Sequence, residues 1–298
     1  MNHFLKEAHH RDLQKVTWVS FVVNLVLAIA QVSIGLWAKS SALVADGVHS
    51  FSDLMSDVVA LWAQHHGRKE PDEDHQYGHH RFETAATLVL GLVLIVVAVG
   101  MMVHATINIQ SGAYASGIHP IALVAAIVTL IGKESLFRYM RSVANRLKSK
   151  LLLANAWHAR SDAASSLVVV IALVGSLLGF PVLDSIASII VGLMIGKMGW
   201  SFAWDALQDL VDRSADTKET DAILATLLGT QGLKGVHELR TRKMGDWTVV
   251  DVHLEVDARL TVEEGHDIAK EANERVLSSH RVLHVMTHVD PWYPDKTE

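Results

Sequence analysis

Apolar residues gather into six stretches of about 20, near residues 16–38, 43–65, 84–108, 118–140, 152–178 and 182–204. As helices, each is long enough to cross about 30 Å of hydrocarbon. The second and fifth are the least apolar, and the fourth carries Lys133 and Glu134 near its end. Beyond Asp212-Arg213 the apolar runs shorten and charge rises, which divides the chain into a six-span helical membrane domain, residues 1–212, and a tail, residues 213–298. In the tail, residues 217–229 read as a helix with Asp216 at its cap. Strands follow at 236–243 and 247–256, joined through Met244-Gly245-Asp246. Thr261 and Glu264 form a capping box that opens a second helix to about Ser279, and a last strand covers 281–289. This order predicts a small open α+β sandwich, with the helices on one face of the sheet.

Basic residues orient the spans. Lys6, Arg11 and Lys15 precede the first, Arg68, Lys69 and Arg81 flank the second connection, and Arg138, Arg141, Arg146, Lys148 and Lys150 crowd the fourth, whereas the alternate connections carry only Lys39. The positive-inside rule therefore places both termini in the cytoplasm. The polar segment 1–15 lacks the apolar core of a cleavable signal, and a compact chain of this kind suits a bacterial inner membrane. The sequence has no cysteine, so any metal site must be built from imidazole and carboxylate, in keeping with 18 histidines. No basic patch with interleaved aromatics suggests nucleic acid.

Two copies of one spacing stand inside apolar stretches: His49-x-x-x-Asp53 and His158-x-x-x-Asp162. Residues four apart on a helix differ by about 40° in direction and about 6 Å in height, so each pair shares a face. Ionisable groups in hydrocarbon are costly enough to mark function. Two such faces meeting supply two nitrogens and two oxygens, a set that closes a tetrahedron around zinc. In the tail, alternation turns Thr248, Val250, Val252, Leu254 and Val256 to a core and His253 to the opposite side. His284, His288 and Asp290 share a face of the last strand, with His237 and His266 placed to approach from the first strand and the second helix. No H-E-x-x-H or similar constellation supports a metalloenzyme.

Four segments together resemble the cation diffusion facilitator family of metal/proton antiporters. They are Ala45-Asp46-Gly47-Val48-His49-Ser50-Phe51-Ser52-Asp53, Asp74-His75-Gln76-Tyr77-Gly78-His79, Asn155-Ala156-Trp157-His158-Ala159-Arg160-Ser161-Asp162 and Gly235-Val236-His237-Glu238-Leu239-Arg240. The resemblance covers nearly the whole chain and implies a metallochaperone-like, open ferredoxin-like tail. It further implies a transport site of His49, Asp53, His158 and Asp162, and a loop site of Asp72, His75 and His79. A binuclear tail site of His237, His253, His266, His288 and Asp290 follows, with Asp290 as the bridge. Arg81 with Asp212 matches a charge interlock in a homodimer. Zinc is the implied transported and regulatory ion, because imidazole at position 49 suits zinc better than manganese; iron, cadmium, cobalt and manganese remain alternatives. Metal needs neutral imidazole and ionised carboxylate, so protons compete for the same groups, the basis expected for export by antiport. The alternatives are a non-transporting membrane metal sensor or scaffold that uses the tail alone, and a passive channel. Trp157 departs from the family pattern, which commonly has an aliphatic residue there.

Overall fold

A computed structural model describes residues 2–67, 69, 71–112, 118–147, 150–245 and 247–294. The chain divides into two compact units, one of Met1–Ala60 with Val89–Phe202, the other of Leu61–Leu88 with Ala203–Glu298.

The helices are α1 (Asn2–Trp37), α2 (Ser41–Gly67), α3 (Arg81–Gln110), α4 (Ile121–Leu147), α5 (Lys150–Leu177) and α6 (Val182–Leu210), and the first unit is made of them apart from the end of α2, the start of α3 and the end of α6, which belong to the second. The core of the first unit is rich in small side chains, among them Ala42, Ala45, Ala98, Ala122, Ala126 and Ala187, packed with Leu43, Leu173, Val191 and Ile195. Small residues let helix backbones approach closely where lipid offers no hydrophobic drive for association. Gly47 is a case beside His49: a Cβ there would lie 2.8 Å from Val32 Cγ2 and 2.9 Å from Val32 N, so any side chain would push α2 off α1. The start of α2 is held by Asp184 of α6, whose carboxylate accepts from Ser40 Oγ at 2.6 Å, Ser41 N at 2.7 Å and Ala42 N at 3.3 Å. Those N–H groups have no partner inside their own helix, and the carboxylate also complements the helix dipole.

Six apolar stretches are expected, and the described residues form six long helices, but among the described residues four segments are both long and apolar enough to cross a membrane. These are Lys15–Trp37, Arg81–Gln110, Asn155–Leu177 and Val182–Leu210. In α2 part of the cause is polar residues turned inward; in α4 the buried Lys133 is joined by Glu134 and the exposed Arg138. Asp46, His49, Ser50 and Ser52 on α2, and Thr129 and Lys133 on α4, are buried and lower the apolarity of their helices without meeting lipid. The outer faces stay apolar: Phe51, Met55, Val58 and Trp62 on α2, and Val124, Val128 and Ile131 on α4, are exposed.

In the second unit, α7 (Thr217–Leu228), β1 (Leu233–Met244), β2 (Trp247–Asp257), α8 (Val262–Ser279) and β3 (Val282–Trp292) follow in the expected order. The sheet runs β1-β2-β3, with β1 antiparallel and β3 parallel to β2. Ile223 and Leu227 of α7 and Ala269, Ala272 and Val276 of α8 pack on Val250, Val252 and Leu254, so both helices cover one face. The capping box forms: Glu264 N donates to Thr261 Oγ1 at 3.2 Å, and Thr261 N to Glu264 Oε2 at 2.8 Å. Asp216 occupies the cap position of α7, but its side chain makes no capping bond. Asp246 of the expected turn lies outside the described residues, while Gly245 has a φ of 60°. β3 continues past Val289, which puts Asp290 in the strand and lets the strand's alternation aim it.

Candidate metal centres

In the helical unit, His49 Nδ1 lies 4.0 Å from Asp53 Oδ2, one turn apart on α2. Ligand atoms of His49, Asp53 and Asp162 of α5 all lie within 4.8 Å of one another. His49 Nδ1 and Asp53 Oδ2 are buried and have no hydrogen-bond partner among the described residues. An unpaired buried polar atom is destabilising, so two of them facing each other mark a place shaped for a cation. His158 departs from the expected tetrad. Its Nε2 is 3.9 Å from Asp162 Oδ2, yet its side chain is 65% exposed and stands outside the group of three. It sits one turn nearer the start of α5, where Asn155 and Trp157 are exposed as well.

Below this group lies a polar network that the sequence reading did not assemble. Asp46 is buried on α2, and Oδ1 accepts from Lys133 Nζ of α4 at 3.4 Å and from Ser165 Oγ of α5 at 3.3 Å. Oδ2 accepts from Ser166 Oγ at 2.6 Å and from Gln31 Nε2 of α1. Lys133 Nζ donates further to Ser166 Oγ at 2.8 Å and to the Asp162 carbonyl at 3.4 Å. Four helices thus meet on one buried ion pair, and Lys133 holds the backbone of a candidate ligand. Lys133 inside an apolar window was the available signal, because a lone lysine there requires a partner.

In the second unit, Asp72 gathers the loop residues. Its Oδ1 accepts from His75 N at 2.7 Å and lies 3.3 Å from His75 Nδ1, while Oδ2 is 3.2 Å from His79 Nε2. The hydrogen bond from the His75 backbone, aided by the nearby His79, holds the Asp72 carboxyl below the usual carboxylate range. Gly78, at a φ of 80°, turns the chain between the histidines through its N–H to the His75 carbonyl at 2.9 Å. His79 stacks on Phe82, and its Nδ1 is buried without a partner among the described residues.

On the sheet face away from the helices, Asp290 stands among three histidines. Its Oδ2 is 3.3 Å from His237 Nε2 and 2.8 Å from His253 Nδ1, and its Oδ1 is 3.4 Å from His288 Nε2. Partial burial pushes this carboxyl up, but the His253 hydrogen bond and the charges of His288, His253 and His237 outweigh it, leaving it below its ordinary value. Register explains the convergence. His253 pairs with His237 on one side and with His288 on the other, and between His237 and Arg240 an extra residue in β1 forms a bulge, with Glu238 at a φ of 48°. The structure does not bring His266 to this group. It is exposed on α8, and α8 packs on the opposite face of the sheet.

Arg81 pairs with Asp212 and also donates from Nη1 to the Leu210 carbonyl at 3.4 Å. Asp212 adopts a φ of 62° just past α6, where the Arg213 N–H returns to the Gln208 carbonyl at 3.0 Å. An ion pair this exposed contributes about 0.2–1 kcal/mol.

Comparison with known proteins agrees with this layout. Residues 17–211 match the family model described as the cation efflux transmembrane domain, and 215–292 match that of the cation efflux protein cytoplasmic domain. An uncharacterized transporter of Methanocaldococcus jannaschii is 32% identical over 94% of this chain and 99% of its own length. Manganese efflux system protein MneP of Bacillus subtilis is 30% identical over 95% of this chain and 97% of its own. Metal tolerance protein C1 of Arabidopsis thaliana is 31% identical over 97% of this chain, which spans 66% of that relative's length. With both family models matched in order and relatives aligned nearly from end to end, the chain is an integral membrane protein of the cation diffusion facilitator family, a family of cation efflux transporters and not of enzymes.

Proposed function

We propose that this protein exports divalent metal, with zinc as its main cargo, in exchange for protons and by alternating access. The observation that carries the reading is the pair of buried ligand atoms, His49 Nδ1 and Asp53 Oδ2, that have no hydrogen-bond partner among the described residues and lie close to Asp162. Metal would load when the imidazoles are neutral and the carboxylates ionised, with His158 swinging in to complete the set, and protons arriving from the far side would displace it. The domain boundary at 212/213, six spans, cytoplasmic termini, a homodimer and a bacterial inner membrane belong to the same reading. Imidazole at position 49 supports zinc over manganese; the manganese efflux relative supports the competing preference. Flux into sealed vesicles tests both points. We expect uptake to rise when an opposing pH gradient is imposed and zinc to outcompete manganese. Uptake indifferent to the gradient would mean a channel, and none at all a sensor or scaffold.

The tail histidines fit a divalent ion, because Asp290 presents one oxygen to His237 and His253 and the other to His288. These four would hold the ion, which supplies charge neutralisation and cross-links β1, β2 and β3. The tail has its own closed core, so a fragment of residues 213–298 should unfold later with zinc, by about 2.7 kcal/mol at a hundredfold excess over Kd. Asp290→Ala should lose most of that shift; a full shift in the variant would remove Asp290 from the site.

We also assign Arg81 and Asp212 to an interlock that keeps the cytoplasmic ends of α3 and α6 in register. Arg81→Asp and Asp212→Arg should each slow flux, and the double variant should recover much of the loss. A double variant no better than the worse single one, at matched expression, counts against the pairing.

A further inference from the structure

The start of α5 and the end of α4 carry an arrangement outside the group of His49, Asp53 and Asp162. Phe137 of α4 is buried and Trp157 of α5 is half exposed, with ring centroids 5.6 Å apart. Two guanidiniums lie over this pair of rings: Arg160 at 4.9 Å from Phe137 and 5.4 Å from Trp157, and Arg141 at 5.9 Å and 5.8 Å. Stacking on aromatic faces fixes both cations in place. Neither has a carboxylate partner among the described residues, whereas neighbouring Arg138 is neutralised by Glu134 at 2.8 Å. Two like charges drawn to the same rings repel each other, and an anion that bridges them relieves this.

Beside them, a groove of about 580 Å³ runs between α4 and α5, lined by apolar residues that include Leu130, Ile131 and Leu167, and by Arg160, Ser135 and the Arg138–Glu134 pair, whose charges offset each other and leave Arg160 as the uncompensated charge. Leu167 is seven residues from Arg160, about 10 Å along the helix. Ile131 and Leu167 are exposed, so this surface needs an apolar cover. We propose that the Arg141–Arg160 pair and the adjoining groove bind one anionic phospholipid, its phosphate between the guanidiniums and an acyl chain along Ile131 and Leu167. A soluble anion matches the charges but leaves the groove bare; a zwitterionic lipid fills the groove but brings its own cation to the arginines. The half-exposed Trp157 then has a role as the interfacial platform under the headgroup.

This inference rests on reading α4 and α5 as membrane spans, which can be checked separately. The sequence is cysteine-free, so single cysteines at Ile131 and Leu167 can be probed in membranes with a water-soluble maleimide. Labelling there would defeat the span reading whatever the lipid result. For the site itself, native mass spectrometry of the full-length protein should be titrated with phosphatidylglycerol and with phosphatidylcholine of the same chains. The first phosphatidylglycerol should bind in preference to phosphatidylcholine, and Arg141→Gln/Arg160→Gln should weaken it about tenfold or more, with phosphatidylcholine unchanged. Trp157→Leu should weaken it less. Arg141→Lys/Arg160→Lys, which keeps charge but loses the planar fork, serves should the glutamine variant fail to fold, and is expected to fall between wild type and that variant. Equal phosphatidylglycerol binding in wild type and a folded variant would overturn the site. Displacement of the lipid by millimolar inorganic phosphate would make it a soluble-anion site and overturn the lipid assignment.

Discussion

Asp53→Ala and Asp162→Ala are each expected to bring metal flux close to that of protein-free vesicles, a loss of at least about 100-fold, because even residues that only support a metal ligand cost 10–100-fold when removed. Each substitution deletes one of the two carboxylates in the group formed with His49, and a cation in a low-dielectric bundle depends on that charge. Neither is expected to prevent insertion, since the Asp53 oxygen that would be lost has no hydrogen bond to give up among the described residues. Vesicles carrying matched amounts of protein decide the matter. Wild-type flux in either variant would take the transport site away from these residues.

The second large effect should come from Lys133→Met. This change leaves Asp46 buried and charged with only Gln31, Ser165 and Ser166 around it, and breaking a buried pair from one side costs about 3–5 kcal/mol. Asp46→Asn should do comparable harm by stranding the ammonium. The double variant removes both charges together, so its loss of stability should be smaller than the sum of the two, with a coupling well above 1 kcal/mol. Unfolding midpoints in detergent measure all three. Additive losses would mean that the two residues do not act as a pair. Because Lys133 also holds the Asp162 carbonyl, the methionine variant should lose transport even under conditions where it remains folded.

What the sequence determined by itself is whatever follows from a local period. The i,i+4 spacing of His49 with Asp53 and of His158 with Asp162 puts each pair on one helical face, and alternation along β2 separates His253 from Val252 and Leu254. The Thr261–Glu264 capping box is likewise local, joining two residues three positions apart in one first turn. Periodicity says which side chains share a face. It does not say which faces meet, and that is what the tertiary structure decided. Asp46 and Lys133 are 87 residues apart and find each other only because α1, α2, α4 and α5 pack together. His266 has the residue type of a ligand but belongs to a helix on the far side of the sheet, whereas His237 reaches Asp290 because a bulge holds its strand in register with β2. His158 shares its helical face with Asp162, yet one turn of height leaves it exposed while Asp162 is covered. Similarly, apolarity alone marks four spans among the described residues, since α2 carries polar residues that the bundle turns inward and buries, and α4 carries buried Lys133 together with Glu134 and the exposed Arg138.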